Sequence, residues 1–214
     1  PENIIGYKEG EKVVVKLLDW PKENKSPFGK IISSFGKGGV YEAEINSVLY
    51  ENKIREKFPK DVLEELKKIE KEEKISGKRK DLREETTFTI DPISAKDFDD
   101  AISFKKKESG GKEIGVHIAD VTHYIKPGTA LDKEAYKRGT SLYLPDRVVP
   151  MLPEKISNGL CSLNPEEEKK TFSFIFELTE EGKIKKGRFE KTLIRSKRRF
   201  AYEEVQFIIE KKEK

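Results

Sequence analysis

Four aspartates, Asp91, Asp97, Asp99 and Asp100, crowd the segment TIDPISAKDFDDA around Pro92. Carboxylates this close repel one another unless a cation neutralises them. Donors that are all oxygen suit hard Mg²⁺, which keeps several waters and is bound together with phosphate-bearing substrates. The chemistry this allows is metal-assisted phosphodiester hydrolysis. One or two ions would polarise the phosphoryl oxygen, lower the pKa of an attacking water and stabilise the leaving 3′ oxygen. In extended backbone Asp97 and Asp99 share a face and Asp100 points away, so all four converge only if the loop bends. Taken alone, the residues fit a solvated Asp-rich turn or a helix cap as well. An EF-hand fits less well, lacking the loop glycine and the closing glutamate.

Several elements must position this cluster. The chain has 214 residues, 35% of them hydrophobic, with 44 Lys and Arg against 40 Asp and Glu and a net charge of +4. That is enough apolar material for one medium domain or two small ones, and it excludes a purely disordered chain. Lys and Glu alternate along most of the sequence and cancel at a distance, so only local clustering can name a partner. One cluster is KKGRFEKTLIRSKRRFAY, where Lys185, Lys186, Arg188, Lys191, Arg195, Lys197, Arg198 and Arg199 are interleaved with Phe189, Phe200 and Tyr202. Basic groups for phosphates and rings for stacking suit single-stranded nucleic acid. No apolar run approaches the ~20 residues needed to span a bilayer. The opening PENIIGYKEGEK lacks the basic start and apolar centre of a signal peptide, so no membrane partner is expected. The single cysteine, Cys161, cannot form an internal disulfide, and no Cys and His cluster offers a zinc site. A reducing, cytoplasmic setting is expected.

Lys12–Trp20 and Gly29–Gly36 read as strands joined by the loop residues Pro21, Asn24 and Pro27. Val40–Tyr50 alternates apolar and polar residues after a glycine-rich turn and is expected as a third strand of a small barrel. From Lys60 the period becomes helical, with Val62, Leu63, Leu66 and Ile69 on one stripe, Asp61 as N-cap and an end near Ser76 and Gly77. Further strands are expected at Thr87–Asp91, Ala101–Lys106, Glu113–Ala119 and Phe172–Thr179, the middle two forming a hairpin across Glu108–Gly111. A short helix over Leu131–Gly139 closes on Gly139. Residues 144–168, with prolines at 145, 150, 153 and 165, predict a long loop, which in a compact domain is usually functional or disordered. The last run predicts a helix with Val205, Ile208 and Ile209 inward.

The segment DPISAKDFDDAISF, followed by HIADVTHYI and TSLYLPDRVVPMLPEKISNGLCSLNP, closely resembles the ribonuclease II/ribonuclease R family of 3′ to 5′ exoribonucleases. The latter two phrases are more similar to ribonuclease R than to ribonuclease II, and the likeness runs through nearly all of residues 86–205. It implies that Asp91 and Asp100 are direct Mg²⁺ ligands, Asp97 a further ligand or support, and Asp99 the aspartate most critical to cleavage. Tyr143, in TSLYLP, matches a family tyrosine that clamps the 3′-terminal bases, and Tyr202, in RFAYEEV, one that contacts the terminal nucleotides near the scissile bond. Taken alone, both would read as ordinary core tyrosines. Upstream, DWPKENKSPFGKI and the Gly36–Gly39 turn resemble the end of the family's second cold-shock domain, an OB-type barrel, with its earliest strands missing.

The resemblance therefore implies an α+β chain. A partial OB-type barrel would occupy 1–60 and a helical linker 61–85, and the mixed strand and helix N-terminal part of the catalytic domain would occupy 86–214. The implied parent is a monomeric, Mg²⁺-dependent enzyme acting on single-stranded RNA, with no DNA expected. Family members continue past the position of Tyr202 with a glutamate that helps select RNA, an aromatic clamp, a phosphate-contacting arginine and an S1-type domain. The expectation is a fragment with little or no activity of its own. The alternative is a nonenzymatic RNA-binding module that uses the barrel strands and the basic strip. His117 and His123 are expected to pack or hydrogen-bond rather than act as bases, Cys161 to be a small buried residue, and Asp120 and Asp146 to be structural.

Overall fold

The computed structural model describes residues 6–20, 26–71, 78–108 and 110–211. The loop residues Pro21 and Asn24, and the expected helix end at Ser76 and Gly77, lie outside them. Two compact units form, residues 1–57 and 58–214.

In the first unit β1 (Glu11–Asp19) and β2 (Phe28–Lys37) pair antiparallel, with three breaks in register that coil the hairpin. Gly29 permits one tight point, since a Cβ there would stand 2.4 Å from Val15 Cγ1. The expected third strand is instead helix α1 (Tyr41–Glu51). Ala43 and Ser47 are buried one helical turn apart, and Tyr50 continues that face with its ring 5.7 Å from Phe35. Glu42 and Glu44 sit in the first turn, where a helix favours negative charge. Glu44 pairs with Lys12 and accepts the Gly39 N–H at 2.8 Å, so the helix start is tied to β1 and to the turn before it. Over so short a run, apolar alternation fits both periods, and these polar ties select the helix.

The second unit is a seven-stranded mixed sheet with helices. Its strands are β3 (Lys80–Asp81), β4 (Thr86–Asp91), β5 (Asp100–Lys106), β6 (Lys112–Ala119), β9 (Glu168–Leu178), β10 (Ile184–Arg195) and β11 (Arg198–Ala201). Their order is β11-β4-β5-β6-β9-β10-β3. The four ladders from β4 to β10 are antiparallel, and the edge strands β11 and β3 are parallel to their neighbours. A separate two-stranded ladder joins β7 (Leu142–Tyr143) to β8 (Val148–Val149). The sequence reading had β10 only as a basic strip. As a strand it alternates its charges between two faces, and the four arginines of 185–199 are engaged within the unit. Arg188 meets Glu113 and Glu190, Arg195 meets Glu84, Arg198 meets Glu204, and Arg199 donates to backbone carbonyls.

One sheet face carries Ala101, Ala119, Ile175 and Ile194 into a core completed by Val62, Leu66, Leu131, Ile156 and Leu163. Val62 and Leu66 come from α2 (Lys60–Lys71), so the helix expected as part of a linker packs into this core. Its Leu63 faces outward, and Asp61 lies in the first turn rather than at the cap. Helix α3 (Val121–Tyr124) follows β6, and α4 (Ala130–Arg138) ends, as expected, on Gly139 at φ 75°. The opposite sheet face carries Phe172, Phe174, Phe176 and Phe189, with Phe174 and Phe189 centroids 4.7 Å apart. Helix α5 (Tyr202–Lys211) differs from expectation: Ile208 and Ile209 are more than half exposed and Val205 is half-buried. Val205 and Ile208 lie along a groove with Phe88, Ile90 and Phe200, leaving the rest of the stripe outward.

Residues 144–168 are ordered. Their prolines limit them to β8, a π-helical turn at Lys155–Leu160 and a bridge between Pro165 and Ser196. Fully buried Ile156 and Leu163 anchor the segment.

Candidate active site

Strand β4 delivers Asp91 as its last residue, and Pro92, with no N–H to donate, ends it. Strands β4 and β5 pair only from Thr86 opposite Phe104 to Phe88 opposite Ile102. Beyond that point β4 stays paired with β11, Asp91 opposite Ala201, while β5 stays paired with β6, Asp100 opposite Ile118. Residues 92–99 connect the two parted strands and carry the remaining carboxylates. Arg199 holds the near end of this loop, its Nη2 donating to the carbonyls of Pro92 at 2.8 Å and Ile93 at 2.6 Å. Phe98 is buried in the core, so its neighbours Asp97 and Asp99 face the other way.

They face a cleft of about 750 Å³. Asp91, Lys96, Asp97 and Asp99 form one wall; Ser141, Tyr143, Arg147 and Val148 form another, with Ser157 and Asn158 from the π-helical turn and Glu154 just before it. Three of the four aspartates and Tyr143 thus share one cleft. Asp100 and Tyr202 stand outside its lining. Asp100 is nevertheless close enough to act on both Asp91 and Asp99 electrostatically, and Tyr202 follows Ala201, the ladder partner of Asp91. Both tyrosine rings are open to solvent, Tyr143 at 68% and Tyr202 at 55%. Neither is the core tyrosine that composition alone favours.

Burial, then Asp100 and Asp97, raise the pKa of Asp91 against the opposing pull of Thr89 and Arg199. Burial, then Asp97, Asp100 and Asp91, raise that of Asp99, which still keeps solvent contact. The phenol of Tyr143 is pushed up by Asp97 first, then by burial and Asp99, and stays protonated. Asp91 Oδ2 is buried without a hydrogen-bond partner. One orphaned oxygen among mutually repelling carboxylates is the donor chemistry that a hard divalent cation would satisfy. Among the described residues no three His, Cys, Asp or Glu side chains are drawn into metal-holding geometry. The match is therefore one of donor type and charge.

The remaining titratable residues lie elsewhere. His117 is fully buried between Ser173 Oγ at 2.7 Å and Ser103 Oγ at 2.9 Å. Gly115 makes room for that ring, since a Cβ there would come within 2.6 Å of Nε2. His123 packs edge-on against Tyr124. Burial pushes the Cys161 thiol up to about 12, which rules out a ready nucleophile. Asp120 pairs with Arg79. The sequence reading missed Ser141, Arg147, Glu154, Ser157 and Asn158; the only signal for them was the long proline-rich segment in which most of them lie.

A family model described as RNB domain matches residues 79–214, more than half of the chain. The chain belongs to the RNB-domain family. A second model, described as Cold shock domain, matches residues 1–59, the part that holds the coiled hairpin and α1. Among curated RNB-domain relatives, Ribonuclease R of Thermotoga maritima is 41% identical over 98% of this chain. The chain spans 30% of that relative's length. Among solved structures, Mycoplasma genitalium RNase R in complex with double-stranded RNA superposes with a TM-score of 0.83 at 28% identity. The superposition covers 100% of this chain and 38% of that one. Yeast Ssd1, a pseudonuclease, matches with a TM-score of 0.70 at 23% identity over 94% of this chain and 26% of that one, a likeness of fold alone. The α+β architecture, with a cold-shock part and an RNB-domain part, is thus the one expected.

Proposed function

We propose that the chain carries the metal-binding part of an Mg²⁺-dependent exoribonuclease that degrades single-stranded RNA from the 3′ end to 5′ mononucleotides. The observation that supports this most is the set of mutually repelling carboxylates at an open cleft, with Asp91 Oδ2 buried and without a hydrogen-bond partner. Asp91, Asp97, Asp99 and Asp100 are the residues that would hold the ion, and Asp99 is the aspartate on which cleavage would depend most. When bound, Mg²⁺ supplies Lewis acidity to the phosphate and positive charge to the leaving oxygen. Phe98, anchored in the core, keeps Asp97 and Asp99 on the cleft side. Tyr143 offers a ring face to a terminal base, its phenol turned to Asp97. Tyr202 offers a second ring beyond the Asp91 end of the ladder. Lys96 brings positive charge to the cleft for the phosphate backbone, while Arg147 is paired with Asp146.

RNA is the proposed substrate rather than DNA, and a cytoplasmic setting agrees with the single buried Cys161. For the 214 residues alone we propose little or no turnover, since they span 30% of the Thermotoga relative. A nonenzymatic RNA-binding module is the second reading, favoured by the match of residues 1–59 to a cold shock domain, because fold does not by itself decide chemistry. The two separate when the full-length protein is incubated with labelled poly(A) and Mg²⁺. Release of 5′ mononucleotides that stops on chelation supports the first. RNA binding that is indifferent to Mg²⁺, with the strand left intact, overturns it in favour of the second.

A further inference from the structure

We infer that Ser162 is a positioning residue for the acidic loop: its hydroxyl fixes the backbone on both sides of Asp97 and so sets Asp97 and Asp99 for a divalent cation. This rests on the reading of the cleft proposed above. Residues 92–99 have no ladder of their own, and one internal bond, from Ala95 N–H to the Pro92 carbonyl at 3.0 Å, turns the loop at its start. The half that carries the two carboxylates is held from outside. Phe98 N–H donates to Ser162 Oγ at 3.0 Å, and the Phe98 carbonyl accepts from Leu163 N–H at 2.8 Å. The Ser162 hydroxyl proton is shared between the Lys96 carbonyl and Asn164 Oδ1, each at 3.2 Å. Both polar groups of the Phe98 backbone are therefore spent on Ser162 and Leu163. Asp97, flanked on both sides by groups that Ser162 holds, takes its place from that grip, and Asp99 shares it with Ala119, whose N–H donates to the Asp99 carbonyl at 2.9 Å.

The support is itself rigid. Ser162 and Leu163 are fully buried, and Cys161 nearly so. Cys161 N–H closes onto the Ile156 carbonyl at 2.8 Å, and buried Lys169 donates to the Gly159 carbonyl at 2.6 Å, pinning the π-helical turn from which the segment emerges. That turn also supplies Ser157 and Asn158 to the opposite wall, so one anchor registers both sides of the cleft. Without the hydroxyl, the buried Phe98 N–H has no partner, and the loop relieves this by shifting Phe98 and its two neighbours. Ligand oxygens displaced by even half an ångström bind a hard cation poorly, and residues that orient ligands typically govern affinity 10- to 100-fold.

The test is a Mn²⁺ titration of the full-length protein, read by the loss of the free-ion electron paramagnetic resonance signal, with metal-free melting curves as the check on folding. Ser162→Ala is expected to weaken Mn²⁺ binding by roughly tenfold or more at temperatures where the variant is folded. Ser162→Cys keeps the packing with a weaker acceptor and is expected to lose a few-fold. Ser173→Ala removes another fully buried hydroxyl, bonded to His117 instead of the loop, and is expected to lower the melt while leaving Mn²⁺ affinity unchanged. Asp99→Asn is expected to lose binding. Unchanged affinity in Ser162→Ala, or an equal loss in Ser173→Ala, overturns the positioning role while the metal site stands. Wild-type affinity in Asp99→Asn overturns the metal site itself.

Discussion

Arg79 and Asp120 form a buried ion pair, Nη2 to Oδ2 at 2.6 Å, with the two side chains only 4% and 3% exposed. Arg79 also donates to the Thr171 carbonyl at 3.2 Å, so it ties the segment before β3 to the central strand β9 and to the turn that follows β6. Burial works to raise the Asp120 pKa, but Arg79 and Thr122 outweigh it and the net shift is downward. Asp120→Ala leaves a guanidinium buried without its partner and is expected to destabilise the unit by about 3–5 kcal/mol. Arg79→Met with Asp120→Leu, which removes both charges, is expected to cost much less. Urea unfolding of both variants checks this, and equal losses would contradict it.

The buried His117 predicts a pH dependence of stability. Burial lowers its pKa from 6.5 to about 4. Between those values the unfolded chain binds the proton and the folded one does not, so stability falls as pH falls through that window and levels off below it. The full effect is at most about 3 kcal/mol. His117→Asn is expected to be less stable at neutral pH, with a flatter decline from pH 6.5 to 4. Denaturant melts across that range measure the difference in slope. Parallel curves for the variant and wild type would refute the assignment.

Tyr143 is exposed on the cleft wall, so its removal should cost binding rather than folding. Tyr143→Ala is expected to weaken single-stranded RNA binding by about 1–3 kcal/mol, the worth of one stacked base, with an unchanged melt. Tyr143→Phe keeps the ring and is expected to retain most of that affinity. Fluorescence anisotropy with a labelled oligonucleotide distinguishes them, and a Phe variant as weak as the Ala variant would assign the effect to the phenol instead.

Much of the second unit was legible because its strands obey the alternation that a half-buried sheet imposes: Thr87, Thr89 and Asp91 point inward, and Phe88 and Ile90 point the other way. Helix α4 was legible through Gly139, whose left-handed backbone ends it. Val40–Tyr50 was misread because its selection as a helix lies in Lys12 and Gly39, contacts no local period contains. The basic run 185–199 hid β10 because its partners lie far off in the chain, Glu84 at 111 positions from Arg195 and Glu113 at 75 from Arg188. In the site, the acidic wall was local in sequence and therefore visible. The facing wall, from Ser141 to Asn158, is brought there by tertiary packing of Ile156 and Leu163.

That the acidic cleft cuts RNA is tested most directly by Asp99→Asn in the full-length protein, measured as mononucleotide release from a single-stranded substrate at an Mg²⁺ concentration that saturates the wild type. The charge of Asp99 is removed with its shape kept, and the proposed stacking of bases on Tyr143 and Tyr202 does not depend on it. The expected result is RNA affinity close to wild type and a cleavage rate lower by about 10²–10³ or more, the usual cost of losing preorganised electrostatic stabilisation. Cleavage at the wild-type rate would contradict it.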